Sequence, residues 1–370
     1  MNKAIFLIMT LFTCGCTLII PTSGVSVSRG GSPSSMDSEL REYRAVFHCH
    51  SHLSHDSEGE IDYIAQSARE QGFNIVFMND HYANGILADS PRGDHGGVLF
   101  IPGVETRFPK AEGQRRKASV LGNGFLKDYE KNMPYEERVD QFIEQDGFLT
   151  AGHVERLSPT QDLAKFRGFE AYNLHAEFTG ANRFMLLWRF LFYPLDCFLE
   201  STISTPEMQL ARWDKELISG KQMTPFAGHD AHANLTILWR TLNDYPPLFR
   251  LFSTRILAKR LDQDSIFDAL ERGRTFITFD YLGESKGFSM RYGMLDNWAI
   301  IGDNVPYNKQ ANLEIHLPAT ATIRILRNGK EIAKKTGSHF SSELPGKGVY
   351  RTEVYKDGSL WILSGPMYLK

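Results

Sequence analysis

The chain has 370 residues, more than one average core carries, so a large unit and a smaller one are expected. Hydrophobic residues at 42% and charged residues at 23% are globular proportions that exclude a disordered or fibrous chain. Lysine plus arginine number 41 against 44 acidic residues, a net charge of −3, so no global basic field draws the chain to nucleic acid and no nucleic-acid-binding surface is evident.

At the N-terminus, Lys3 precedes a short apolar run over 4–12. It reads as a secretion signal and is too short to span a bilayer. Gly15-Cys16 resembles a bacterial lipobox, which implies a signal over 1–15 and lipidation of Cys16, with Cys14 the weaker position. Residues 16–43 are rich in Ser, Gly and Pro and suit a flexible tether. The chain is expected in the cell envelope, at the outer membrane or periplasmic face. Its four cysteines (14, 16, 49 and 197) are too few for a disulfide scaffold.

From 44 to 285, short apolar runs alternate with amphipathic stretches. The runs start at Ala45, Asn74, Val98, Phe148, Gly168 and Thr224 and have the continuous apolar character of parallel strands covered on both sides. Helices are predicted over Ile61–Gln71, Tyr135–Gln145, Pro206–Ser219 and Asp264–Arg272, with Asp264 as an N-cap and Gly72 and Gly273 as stops. The alternation predicts an α/β barrel or wound sheet. Residues 286–370 differ. Leu313, Ile315 and Leu317 alternate with polar neighbours, and Tyr350, Thr352 and Val354 share one face while Arg351 and Glu353 take the other. Asn328-Gly329 and Asp357-Gly358 mark hairpins. A small antiparallel β-sandwich is expected there.

Ten of the twelve histidines lie between His48 and His232. His48-Cys49-His50, Asp80-His81, Glu105, His153 and His229-Asp230-Ala231-His232 each close an apolar strand, and Asp56 follows the first. Barrel active sites are built on such carboxyl ends. His48 and His50 share a strand face about 6.6 Å apart, close enough to meet on one ion, while Cys49 packs as a small apolar residue on the other.

These motifs (H-x-H-x5-D at 48–56, N-D-H at 79–81, G-V-E at 103–105, G-H at 152–153, H-D-A-H at 229–232) resemble the PHP (polymerase and histidinol phosphatase) metallohydrolases. The resemblance covers roughly 44–285, and the tail resembles the β-sandwich of lipoprotein-type relatives. It implies a distorted (β/α)7 barrel holding two or three divalent ions (Zn, Mn or Fe) and hydrolysing phosphoesters. His48, His50, Glu105 and Asp230 would hold one ion, Asp56, His81 and His232 another, and Glu105 with His153 a third. Many members have a further histidine where this chain has Ser119; His95 and His175 are the available substitutes. His52 and His55 read as solvated or supporting residues.

Asp56, Glu105 and Asp230 bring −3, so two divalent ions leave the cluster near +1, suited to a small phosphate-containing anion. Hydroxide held between the metals is the expected nucleophile. His229 is the candidate proton donor, Arg107 the candidate phosphate clamp, and Asp80 a carboxylate close enough to the metals to affect turnover. The apolar insert 184–199 and the segment 246–252 either pack internally or, with the lipid anchor, face a membrane surface. Rival readings are a metal-dependent hydrolase of a carboxylic ester, carbamate or amide, and a non-catalytic binding lipoprotein.

Overall fold

The computed structural model describes residues 39–370 apart from 84, 111, 113, 126, 131 and 177–182, and the side chains of 183 and 185. The leader 1–15, Cys14, Cys16 and most of the tether lie outside the described residues.

Ten strands frame the first region: β1 (Arg41–Cys49), β2 (Ile75–Met78), β3 (Asp80–His81), β4 (Gly93–Asp94), β5 (Leu99–Ile101), β6 (Gly103–Arg107), β7 (Ser119–Asn123), β8 (Phe148–Gly152), β9 (Gly168–Asn173) and β10 (Thr224–Ala231). β1 pairs in parallel with β2, β2 with β5, and β3 with β6. The series continues β6–β7–β8–β9–β10, and β10 pairs in parallel with β1, while β3 is joined to β2 through Asn79 in the chain rather than by strand pairing. β7 runs against both neighbours, where the apolar runs predict parallel strands only.

Pleating divides the strand side chains between two cores. Ala45, Phe47, Ile75, Phe77, Phe148 and Phe226 form one cluster, closed by Ile266 and Leu270. Val46, Val76, Met78, Val120, Leu149 and Phe169 pack into another beneath Ile64, Phe142, Leu210 and Trp213. Those last four sit on helices Ile61–Glu70, Tyr135–Glu144 and Glu207–Ile218. The helix Gln263–Glu271 carries Ile266 and Leu270. All four helices fall within a residue or two of the predicted spans. The last is capped by Asp262, which accepts from the Ser265 amide at 2.8 Å, and not by Asp264. Gly72 and Gly273 stop their helices at φ +73° and +77°, a conformation glycine adopts without strain.

Beyond β10 lie a small hairpin, β11 (Thr236–Ile237) and β12 (Arg240–Thr241), then β13 (Ser253–Ala258) and β14 (Thr275–Thr278). The C-terminal strands are β15 (Ser289–Met294), β16 (Asn297–Ile300), β17 (Asn304–Val305), β18 (Asn312–Arg327), β19 (Lys330–Glu343), β20 (Gly348–Lys356), β21 (Ser359–Ser364) and β22 (Met367–Leu369). β18 pairs with β15 through its first half, with β20 through its second, and with β19 along both. Leu313, Ile315, Ile323, Tyr350 and Val354 fill the core of this region. Both predicted hairpin turns are present, with Asn328 and Asp357 at φ +50° and +51°.

The two regions are hydrogen-bonded together. β14 pairs with β13 on one side and β21 on the other. Arg351 and Glu353, on the face opposite Tyr350 and Val354, are buried as well. Helix Glu207–Ile218 covers them, and Arg351 grips Asp214 through Nε and Nη2, each at 2.7 Å.

Candidate metal centre

A regular pleat that turns Ala45 and Phe47 toward the strand-enclosed core would turn His48 away, with Val46. The structure breaks the pleat there. The β1 register slips between Phe47 and Cys49 against β10, and between Val46 and Cys49 against β2. His48 takes φ +58°, and Asp230 and His153 take +52° and +46°. Left-handed backbone is unfavourable for residues with a Cβ and, at strand ends, marks places where packing overrides local preference. The irregularity at His48 lets His48 and His50 share one site while Cys49 joins the outer core.

His48 Nε2 and His50 Nε2 each lie 3.6 Å from Glu105 Oε2 and 3.5 Å from Asp230 Oδ1. His81 Nδ1 is 3.0 Å from Glu105 Oε2, and its Nε2 is 3.2 Å from Asp56 Oδ2. His232 Nε2 faces Asp56 Oδ1 at 3.8 Å, and His153 Nε2 faces Asp230 Oδ2 at 3.3 Å. Three sets, His50–His81–His232, His48–His50–Asp230 and His48–Glu105–His153, each hold their donor atoms within 4.8 Å of one another. All eight ligand candidates from the sequence therefore converge.

A divalent cation fits this donor set. His48 Nε2, His50 Nε2 and Asp56 Oδ1 are buried without hydrogen-bond partners, a costly arrangement unless something else meets them. Burial raises the Glu105 and Asp230 carboxyls, but the imidazoles around them, His48 foremost, carry both well below the usual carboxylate range. Burial, aided by neighbouring His232, drives His50 down to about 3. Against the pull of burial, the same carboxylates raise His48, His81 and His153, so a metal, which takes neutral imidazoles and ionised carboxylates, would displace protons on binding.

Glu170 is the residue sequence reasoning missed. Its Oε1 accepts from His48 Nδ1 at 2.7 Å and Asn173 Nδ2 at 3.0 Å, and its Oε2 accepts the His153 amide at 2.5 Å. It thus fixes the tautomer that turns His48 Nε2 inward. A Cβ on Gly228 would fall 1.9 Å from Glu170 Oε1, so glycine makes room for this carboxylate. The available signal was a lone acid inside the run Gly168-Phe-Glu-Ala-Tyr172.

The predicted catalytic residues divide. Arg107 reaches to 3.8 Å from Glu105 Oε1 and lines a cavity of about 480 Å³ over the cluster, together with Arg116 and Arg156. Asp80 is buried and points away from the donors. It accepts from Ser51 Oγ at 3.0 Å and Ser54 Oγ at 3.1 Å. Ser54 in turn meets His50 Nδ1 at 3.1 Å and takes the His81 amide at 2.7 Å. Asp80, which the sequence places as a carboxylate supporting the ligands, is thus a positioning residue that acts through Ser54. His229 is corrected. Its ring stacks on Phe252 with centroids 4.3 Å apart, its Nε2 meets the Phe252 carbonyl at 3.1 Å, and burial lowers its pKa to about 4. It is a neutral packing residue and not a proton donor.

Ser119 donates to Glu105 Oε1, holding the bridging candidate from the position of the missing histidine. Of the two substitutes, His175 lines the cavity 6.0 Å from the His153 ring, whereas His95 packs on Phe100. His55 is exposed near Asp56 and His52 faces Glu60.

No family model and no curated protein matches the chain. Among solved structures it is similar to a two-domain protein of Bacteroides vulgatus containing a predicted PHP-like metal-dependent phosphoesterase. That likeness has 13% identity and TM-score 0.43, and covers 93% of this chain and 100% of that one. It is also similar to a predicted metal-dependent phosphoesterase of Bifidobacterium adolescentis, at 11% identity and TM-score 0.32, over 55% of this chain and 93% of that one. At these scores the likenesses carry no functional argument, which rests on the side-chain geometry.

Proposed function

We propose that the chain is a metal-dependent phosphoesterase of small phosphate-containing substrates. In this reading the strands form a distorted (β/α)7 barrel over 44–285 with a β-sandwich over 286–370, and Cys16 anchors the molecule in the cell envelope. The observation that carries it is the pair of buried, partnerless imidazole nitrogens on His48 and His50, ringed by Glu105, Asp230, His81 and His153.

His48, His50 and Asp230 would hold one ion, His81, His232 and Asp56 a second, and Glu105 with His153 a further one. Bound divalent ions would polarise the phosphoryl oxygens and acidify a water near pH 7. The chain's own residues do the rest. Glu170 and Ser54 hold the imidazoles in the required orientation, and Ser119 steadies Glu105. With Glu170 counted, four carboxylates (Asp56, Glu105, Glu170, Asp230) balance two divalent ions and leave +2 with three, and Arg107, Arg116 and Arg156 on the cavity wall add positive charge for a substrate to meet. A wall of three guanidiniums favours phosphate over a neutral ester or amide.

Metal analysis should find at least two ions per chain. Bis-p-nitrophenyl phosphate should turn over in preference to p-nitrophenyl acetate, and His50→Ala should abolish it. Preference for the acetate would favour the carbonyl-hydrolase reading, and metal-free protein with neither activity the binding-lipoprotein reading.

A further inference from the structure

The helix Arg183–Phe192 exposes Phe192 (67%), Leu187, Trp188 and Leu191. The hairpin β11–β12, which no periodicity predicts, exposes Leu238 (64%) and Trp239 (77%) at its tip, with Leu238 at φ +57°. The two are one surface. Arg240 donates from Nη1 to the carbonyls of Phe190 at 2.7 Å and Tyr193 at 2.8 Å, and its guanidinium lies 5.4 Å from the Phe190 ring. The hairpin also grows directly out of the metal centre, since Asn234, Leu235 and Leu242 line the same cavity as His232 and Asp230.

We infer that this helix and hairpin form a phospholipid-docking lip, and that the substrate of the adjoining cavity is a phosphoester whose alcohol carries acyl chains. The substrate half rests on the phosphoesterase reading; the docking half does not. Monomeric surfaces seldom expose this much contiguous aromatic and aliphatic area without a partner. Tryptophans beside leucine and phenylalanine, with arginine as the charged residue, are the composition of an interfacial helix. No acid lies over 183–193 or 235–241, so an anionic bilayer meets no like charge there, and Arg189 and Arg240 bring positive charge to the lip while they hold the carbonyls of Ser201, Phe190 and Tyr193.

The length of chain before the described region agrees. Glu39 adjoins the start of β1, the end opposite the lip, and a strand of nine residues spans about 30 Å. The 22 residues from 17 to 38 can extend about 70 Å, ample for an anchored molecule to lay its lip on the membrane. No helix among the described residues is long and apolar enough to cross one, so the contact is peripheral. In the reaction, water gives its oxygen to phosphorus and releases one proton, the P–O bond to the lipid alcohol breaks, and the leaving alkoxide takes up a proton in its place, so one water is consumed for each ester cleaved.

The test uses full-length Cys16→Ser protein, which lacks the candidate lipid anchor, with vesicles of phosphatidylcholine mixed with phosphatidylglycerol and phosphatidic acid. It should float with the vesicles. Trp188→Ser/Trp239→Ser should weaken flotation, and hydrolysis of vesicle phosphatidic acid, by about tenfold or more. Turnover of soluble bis-p-nitrophenyl phosphate should not change. Failure of the parent protein to float, undiminished flotation of the double variant, or a dimer that the double variant dissociates would each overturn the docking lip. Flotation that depends on the tryptophans, without hydrolysis of the soluble ester, would overturn the phosphoesterase reading and leave the lip standing.

Discussion

The first ten strands and the C-terminal sheet use the same rare backbone conformation for opposite purposes. In the C-terminal region the left-handed non-glycine residues include Asn328 and Asp357, each followed by glycine at a hairpin tip. Among the first ten strands they include His48, His153 and Asp230, all metal-ligand candidates at strand ends. Asparagine and aspartate tolerate the conformation in a type I′ turn, where it lets a strand reverse. Histidine at the end of a parallel strand gains nothing locally, so the strain there serves the site. Buried polar groups tell the same story. Among the described residues, every orphaned side-chain atom lies before residue 286, and two of them are His48 Nε2 and His50 Nε2. The C-terminal region holds no such orphan among the described residues; the other holds several, and those on His48, His50 and Asp56 face the place a metal would fill.

The sharpest way to break this contrast is Asp230→Gly. Glycine accepts the φ of +52°, so metal-free stability should change by less than about 2 kcal/mol. Bound metal and phosphoesterase turnover should both vanish, as elemental analysis and an ester assay would register. Turnover near the parent level would mean the distortion serves packing. Next in size is the seam between the regions. Arg351→Met strands Asp214 and should cost about 3–5 kcal/mol in urea unfolding, with the activity of the folded molecules preserved. Glu170→Gln keeps the shape but weakens the anchor of His48. Metal affinity should fall about 10–100-fold by competition with a chelator, with little change in melting temperature. Smallest is Asn328→Ala, which puts a Cβ without a compensating side chain at φ +50° and removes the acceptor of the Val349 amide. It should lose about 1 kcal/mol of stability and no activity.

The sequence displays the site more clearly than the scaffold around it. His48, His81, Glu105, His153 and Asp230 are visible because each ends an apolar run, and strand ends bring distant residues together whatever the details of pairing. Glu170 hides inside its run: buried carboxylates are rare, and only its distance from His48 reveals a partner. His229 misleads because it sits beside true ligands, yet alternation along β10 turns it toward Phe249 and Phe252. The reversal of β7 and the burial of Arg351 are settled by which neighbours arrive from elsewhere, Phe148–Gly152 for one and Asp214 for the other. Local patterns hold no such information.

The pairing of β14 with β21 bears on how the molecule comes into being. Phe276, Ile277 and Thr278 find their second hydrogen-bonding neighbour only in Ile362–Ser364, far along the chain. A nascent molecule therefore waits for Ile362–Ser364 to emerge before that strand is covered. A premature stop near 285 would leave an open, apolar ribbon ready to recruit its own kind, so such a truncation should yield inclusion bodies rather than a working fragment.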